Sequence, residues 1–365
     1  MKLRNVSVSI VALLIGIAAA LILSAMLDES PWLVLQVLVK GAVGSRTDFG
    51  YALYYATPLM LTGLAVSWAF RAGLFNIGAE GQMTLGGVAI AATGIMFPHL
   101  PVYFALPLAI VVAFLTGGIW GALAGWMKAR RGCHEVLTTI LLNFIAYGLA
   151  SFFILSVFKN PESQVPETAQ VGAGYVISSI AAIGGNSPLN WSFFLSIFML
   201  ASYGFIFSRT KLGFYQKMTG AARAVAVRAG VRVDRQIILA MFISGGLAAL
   251  AAVNPVLGYS LKTREGFASG VGFVGIAVAL LGRNSPIGIF LAALLFGVLT
   301  KGALDLDLDT DNLSRDLALV IQAFIVLAVA SQAVLLSAWD KTELWWRARS
   351  SRKSPPQTSI GKPGQ

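Results

Sequence analysis

Long apolar blocks separated by short polar segments dominate the chain. Nine blocks are roughly 20 residues long and almost free of charge, which is the length that an α-helix needs to cross the hydrocarbon core of a bilayer. They lie at residues 6–26, 51–70, 80–97, 102–127, 135–158, 190–208, 236–258, 285–303 and 317–338. A tenth block, at 267–282, is shorter and rich in glycine. The pattern predicts an all-α polytopic membrane protein with about ten transmembrane helices.

Composition supports this class of protein. Hydrophobic residues make up 57% of the chain and charged residues only 12%, whereas a soluble domain is about 25% charged. The strands of a membrane β-barrel would alternate apolar and polar positions, but these blocks are apolar throughout, which excludes a barrel. With one cysteine, Cys133, the chain cannot form an intramolecular disulfide.

The arrangement of charge predicts which loops face the cytoplasm. The net charge is +11, and ten crossings that start from a cytoplasmic N-terminus place most of the 27 Lys and Arg residues inside. The same arrangement places Cys133 and both termini inside and the acidic loop at 304–316 outside. Without a crossing at 267–282, the basic end of the chain would face outward. We interpret the positive charge as a topology signal with attraction to anionic membrane lipid, and not as a sign of nucleic-acid binding.

Three segments are expected to lie outside the hydrocarbon core. Residues 28–49 are predicted to form an external interfacial helix, and residues 159–189 an external loop rich in Pro and Gly. The basic, Pro-rich segment at 347–365 is predicted to be a disordered cytoplasmic tail. Residues 1–346 then form the transmembrane domain.

The loop at 209–235 is the longest of the predicted cytoplasmic loops. It carries seven basic residues against one acidic residue, Asp234. Thr219 and Gly220 are predicted to open a short helix of about three turns, which Gly230 closes.

One face of this short helix is apolar and small, with Ala222, Ala226 and Ala229, while Arg223 and Arg228 lie on other sides. An apolar face outside the membrane indicates a docking partner. The alternative is a solvated loop that only anchors the topology.

At this point the sequence resembles a known family. GAARAVAVRAGVRVDR at 220–235, followed by ILAMFISGGLAALAA, is similar to the coupling loop of ABC importer permeases for branched-chain amino acids, simple sugars and nucleosides. GLFNIGAEGQMTLGG at 73–87 and HEVLTTILLNFIA at 134–146 resemble the nucleoside subgroup, which works with a lipoprotein of the basic-membrane-protein type. The resemblance extends from about residue 50 to residue 335.

The resemblance implies a transport subunit of the bacterial inner membrane that is not itself an enzyme. Its coupling residues would be Gly220, Ala222, Arg223, Ala226, Arg228 and Gly230, which dock into a cytoplasmic ATPase. The implied partners are two ATPase subunits, an external solute-binding lipoprotein and a second permease, which is usually a different chain, although a homodimer is an alternative. ATP and Mg²⁺ would bind to the ATPase, because the chain contains no Walker A motif and no metal-binding cluster of His and Cys.

Polar and aromatic residues in the matching segments are the candidates for a substrate path. An unpaired polar group at membrane depth is costly, so it either finds a partner or lines a cavity. The candidates are Phe75, Asn76, Glu80, Gln82, Thr139, Asn143, Phe267 and Phe273. Asn143 is the strongest candidate for contacting a nucleobase or ribose, because its amide both donates and accepts.

Three alternatives remain open from the amino-acid sequence alone. Glu80 could instead pair with Arg71 or a backbone amide near the cytoplasmic surface and only hold helices together. The substrate could be a simple sugar or a branched-chain amino acid. An ion-coupled secondary transporter is a third reading, although such proteins are expected to bury acidic residues deep in the bilayer.

Overall fold

The structure is a computed structural model that describes residues 29–309, together with residues 18, 21, 22, 24–26, 320, 323 and 324. In this described part of the chain, eleven α-helices are at least six residues long. They are α1 (Pro31–Val43), α2 (Arg46–Arg71), α3 (Ala79–Met96), α4 (Val102–Arg131), α5 (Glu135–Phe152), α6 (Ser192–Arg209), α7 (Lys211–Ala221), α8 (Arg223–Arg228), α9 (Val233–Leu250), α10 (Val271–Leu281) and α11 (Pro286–Asp309). Single π-helical turns at Phe153–Val157 and Val256–Ser260 extend α5 and the region after α9.

The predicted all-α membrane class is confirmed for the described residues. Six helical segments there are long and apolar enough to cross a membrane, and they begin at Arg46, Val102, Glu135, Ser192, Val233 and Pro286. The predicted crossings at 6–26 and 317–338 and the tail at 347–365 lie almost entirely outside the described residues. The total of ten crossings and the orientation of the termini therefore stay predictions.

Local chemistry explains where the helices begin and end. The predicted helix at 28–49 is divided, because the Ser45 hydroxyl accepts a hydrogen bond from the Asp48 amide at 3.1 Å and so caps the start of α2. Gly132, with φ of 70°, ends α4 in the left-handed conformation after three basic residues in the last turn.

Two helices form the centre of the bundle. In α2, 83% of the most apolar stretch is buried, compared with 28% in α4, α5 and α6. The helix α9 is also central, and it packs against α4 through glycines. A Cβ atom on Gly245 would lie 2.1 Å from the carbonyl oxygen of Gly117, so only glycine allows the two backbones to approach this closely.

The helix α10 crosses only half of the bundle. It has 11 residues, which corresponds to about 16 Å, whereas the hydrocarbon core is about 30 Å thick. Its first turn lies beside the middle of α2, where the Thr62 hydroxyl contacts the Val271 carbonyl at 3.3 Å. Just beyond its last turn, the Arg71 guanidinium donates to the Asn284 carbonyl at 2.7 Å. Both contacts show that α10 runs along the second half of α2 and begins about halfway through the bundle.

The predicted apolar block at 267–282 is therefore only partly helical. Gly266 and Gly270 have φ of 71° and 84°, a left-handed conformation that an α-helix cannot continue through. Phe267 consequently lies in the connecting segment at 261–270, before α10 begins.

Two loops at the same end of the bundle pair with each other. The amide of Thr168 donates to the Thr263 carbonyl at 3.0 Å, and the amide of Val171 donates to the Leu261 carbonyl at 2.9 Å. These contacts attach the loop at 159–189 to the connecting segment at 261–270.

An ion cluster reinforces this attachment. The carboxylate of Glu167, which is 3% exposed, lies 2.5 Å from Lys262 Nζ and 2.9 Å from Arg264 Nε. The hydrogen bond from Lys262 lowers the pKa of the Glu167 carboxyl to about 2, and Arg264 adds to the effect.

We expect Glu167→Gln to lower the thermal stability of the purified protein by an amount that is constant from pH 8 to pH 5. Because the folded pKa lies below the usual carboxyl value of about 4.3, the stabilisation is complete above that value and is lost as the pH falls towards 2. Melting temperatures of both proteins between pH 8 and pH 3 test this expectation, with Glu162→Gln on the same loop as the control. A difference that changes between pH 8 and pH 5 would contradict it.

Candidate functional site

The segment before α3 is held by a network of buried amides. The Asn76 side chain donates to Gln82 Oε1 at 2.9 Å and to the Ser244 hydroxyl at 2.8 Å, and its own oxygen accepts from the Gly78 amide. Ser244 in turn donates to the Ala65 carbonyl at 2.6 Å. Asn76 and Gln82 thus use their polar groups within the protein and connect α3, α9 and α2.

Asn143 belongs to the same structural support. Its oxygen accepts from the Gly81 amide at 3.0 Å and its nitrogen donates to the Ile77 carbonyl at 3.0 Å. Thr139, one turn earlier on α5, lies 3.3 Å from the Ile77 amide. Asn143 is 3% exposed, and both of its polar atoms are hydrogen-bonded, so this geometry positions the start of α3. The role of Asn143 in the substrate path stays a prediction.

Glu80 joins the two helices that begin inside the bundle. Its carboxylate oxygens accept from the backbone amides of Gly270 at 2.7 Å and Gly272 at 2.6 Å. A carboxylate at this position satisfies amides that the first turn of α10 leaves unpaired, and it complements the positive end of the helix dipole. Of the alternatives left open by the sequence, a backbone partner is found, and it lies beside the middle of α2 and not beside Arg71 at the end of that helix.

A cavity of about 290 Å³ opens beside Glu80. It lies between α3, α5 and the connecting segment. Its lining residues are Glu80, Thr84, Tyr147, Ala150, Ser151, Ile154, Glu265, Gly266, Ala268 and Ser269.

The three aromatic candidates lie in different places. The Phe75 ring stacks on Phe70, with centroids 5.1 Å apart. The Phe267 ring packs against Gly87, where a Cβ atom would be 2.3 Å from the ring. Phe273 is 44% exposed on α10, and none of the three is among the residues that line the cavity.

The predicted coupling helix is shorter than expected and begins later. Thr219 and Gly220 belong to α7, and the backbone turns sharply at Ala222 before the six residues of α8. The reason is packing, because a Cβ atom on Gly220 would lie 2.6 Å from the Arg71 carbonyl oxygen, so α7 rests on the turn after α2. Gly230 has φ of 78° and follows the end of α8, as predicted.

The exposed side of α8 differs from the predicted one at Ala226. That residue is fully buried in the core of the chain, whereas Ala222 and Ala229 are exposed as predicted. Two larger residues are exposed as well, Val225 at 56% and Val227 at 58%. Arg223 lies 3.6 Å from Asp234, in an exposed pair of little energetic weight.

Comparison with known proteins decides the family. The sequence-family model for the permease component of the branched-chain amino acid transport system matches residues 49–330. The chain is 33% identical to the guanosine ABC transporter permease protein NupP of Bacillus subtilis, over 91% of this chain and 95% of NupP. The chain belongs to this permease family.

Two further relatives have different substrates in their names. The nucleoside ABC transporter permease protein NupB of Lactococcus lactis is 33% identical over 92% of this chain and 93% of its own length. The glucose ABC transporter permease protein TsgB13 of Haloferax volcanii is 31% identical over 80% of this chain and 78% of its own length. The family thus includes proteins named for nucleosides and proteins named for sugars.

Several residues of this permease were missed at the level of sequence. They are the cavity-lining residues Tyr147, Ser151, Glu265 and Ser269. Tyr147 and Ser151 continue the four-residue spacing of Thr139 and Asn143 along α5, and this spacing was the available signal for them. Glu265 and Ser269 flank left-handed glycines in an apolar, Gly-rich run, and these interruptions were the available signal.

We expect Asn143→Ala to destabilise the permease by about 1–2 kcal/mol, because it leaves the Gly81 amide and the Ile77 carbonyl without partners in the bundle. Thr138→Ala is the matched control on the same helix, since the Thr138 hydroxyl bonds only to its own helix, at the His134 carbonyl. Thermal unfolding in detergent measures both. Equal melting temperatures for the two variants would show that Asn143 does not hold α3.

Proposed function

We propose that the chain is the membrane-spanning subunit of an ABC importer for nucleosides. The observation that carries this proposal is the 33% identity, over more than nine tenths of the chain, to permeases named for guanosine and for nucleosides. A simple sugar is the second candidate, and the similarity to a glucose permease favours it. Membership of the permease family speaks against an autonomous ion-coupled transporter.

The proposed topology has ten crossings with both termini in the cytoplasm. The long helices supply six candidate crossings, and α3 and the half-length α10, each preceded by a non-helical segment, supply two more. The apolar blocks at 6–26 and 317–338 complete the number. The distribution of basic residues supports this orientation in a bacterial inner membrane.

The proposed partners are the other subunits of such an importer, each of which has a separate function. Two cytoplasmic ATPases bind ATP and Mg²⁺, a second permease of different sequence completes the path, and an external lipoprotein delivers the solute. Closure of the ATPases would move the coupling segments and change which side of the membrane the path opens to.

The short helix α8 is the proposed contact with the ATPase. It projects from the bundle with Ala226 as its buried contact and exposes Val225 and Val227. Apolar side chains in this position are suited to a cleft on a partner, and the exposed Arg223 and Arg228 can pair with acidic groups around it.

We expect Val225→Asp and Val227→Asp each to lower substrate-stimulated ATP hydrolysis by at least about tenfold, because a carboxylate in a closed apolar contact costs more than about 1.4 kcal/mol. Val165→Asp is the control, because Val165 is 47% exposed in the loop at 159–189. The measurements are copurification of the ATPase, ATP hydrolysis, and uptake of labelled guanosine, glucose and leucine by reconstituted vesicles. Normal stimulation in both variants would show that the loop at 209–235 only anchors the topology. Uptake of glucose in preference to guanosine would favour a simple sugar as the substrate.

A further inference from the structure

The cavity beside Glu80 has an unbalanced charge composition. Two carboxylates, from Glu80 and Glu265, contribute to its lining, and hydroxyls provide the other polar side chains. None of the described residues that line it carries a positive charge. Carboxylates accept hydrogen bonds from the O–H and N–H groups of a neutral solute, whereas they repel an anionic one.

The first turn of α10 would attract an anion if Glu80 were absent. The N-terminus of a helix carries a partial positive charge, and broken helices in transporters use it to hold anionic substrate groups. Here both oxygens of the Glu80 carboxylate already accept the amides of Gly270 and Gly272. Glu80 is 4% exposed, so the protein's own carboxylate occupies the position that a solute carboxylate or phosphate would take.

We infer that this cavity binds an uncharged solute rich in hydrogen-bond donors and that Glu80 is the residue that excludes anionic solutes. The inference rests on the proposed function, since it names the site and the selectivity of a nucleoside permease. A nucleoside offers ribose hydroxyls and base N–H groups to Glu265 and to the lone pairs of Glu80 that the two amides leave free. A nucleoside monophosphate adds an anionic group that the cavity cannot pair.

The test uses a cysteine in the cavity of the complete complex with its ATPase, reconstituted in vesicles. Ser151 lines the cavity, and Ser151→Cys is made in a Cys133→Ser background, which removes the natural thiol. The rate of labelling by a small water-soluble thiol reagent is measured alone and with guanosine or guanosine 5′-monophosphate. Gln164→Cys, exposed on the loop at 159–189, is the control for effects unrelated to the cavity.

Saturating guanosine is expected to slow the labelling of the introduced cysteine at 151 by about tenfold or more. The monophosphate is expected to leave that rate unchanged, and neither compound should affect labelling at 164. In Glu80→Ala the amides of Gly270 and Gly272 lose their partner, so the monophosphate should now protect the cysteine.

A second variant keeps the test decisive if Glu80→Ala does not fold. Glu265 lies on an exposed turn. Glu265→Gln should raise the guanosine concentration needed for protection by about tenfold, because one charge-assisted hydrogen bond to the solute is lost.

Three results would overturn the inference: no labelling of the cysteine at 151, labelling unaffected by guanosine, or equal protection by guanosine and its monophosphate. If the same vesicles still take up guanosine, the proposed function stands and only the site is wrong. Protection by guanosine without uptake would support the site and contradict the proposed function.

Discussion

A polar group inside a bilayer has to find its partner within the protein, and the architecture of this permease depends on how one carboxylate does so. Two helices, α3 and α10, begin inside the bundle and leave amides at their first turns. Glu80, in the first turn of α3, supplies the acceptor for α10 through Gly270 and Gly272. This contact allows a crossing to be interrupted in its middle without leaving backbone groups unpaired.

The elements around this contact serve to hold it in place. Asn76, Gln82 and Asn143 fix the extended segment before α3, and Thr62 fixes the start of α10. On the other side, Glu167 ties the connecting segment at 261–270 to the neighbouring loop. The cavity lies between these supports, so its shape depends on side chains that are otherwise fully engaged.

The sequence predicts the helices better than their contacts. Apolar blocks of membrane length locate the long helices to within a few residues, and the polar residues of 73–87 and 134–146 correctly mark where the bundle contains buried hydrogen bonds. Glu80 pairs with residues 190 and 192 positions later, and no local periodicity of the sequence indicates such a contact. The burial of Ala226 could not be predicted from the sequence either. Whether an alanine faces its own core or a partner depends on how α7 and α8 pack, and not on helical spacing alone.

The central claim is that Glu80 closes the first turn of α10, and hydrogen exchange at that turn tests it most directly. The amides of residues 270–273 should exchange slowly in the wild-type permease and much faster in Glu80→Ala, whereas the amides in the middle of α10, which bond within their own helix, should change little. Mass spectrometry of the peptides that cover 266–281 provides the measurement. Equal exchange at 270–273 in the two proteins would show that the carboxylate does not hold this turn, and it would contradict the account.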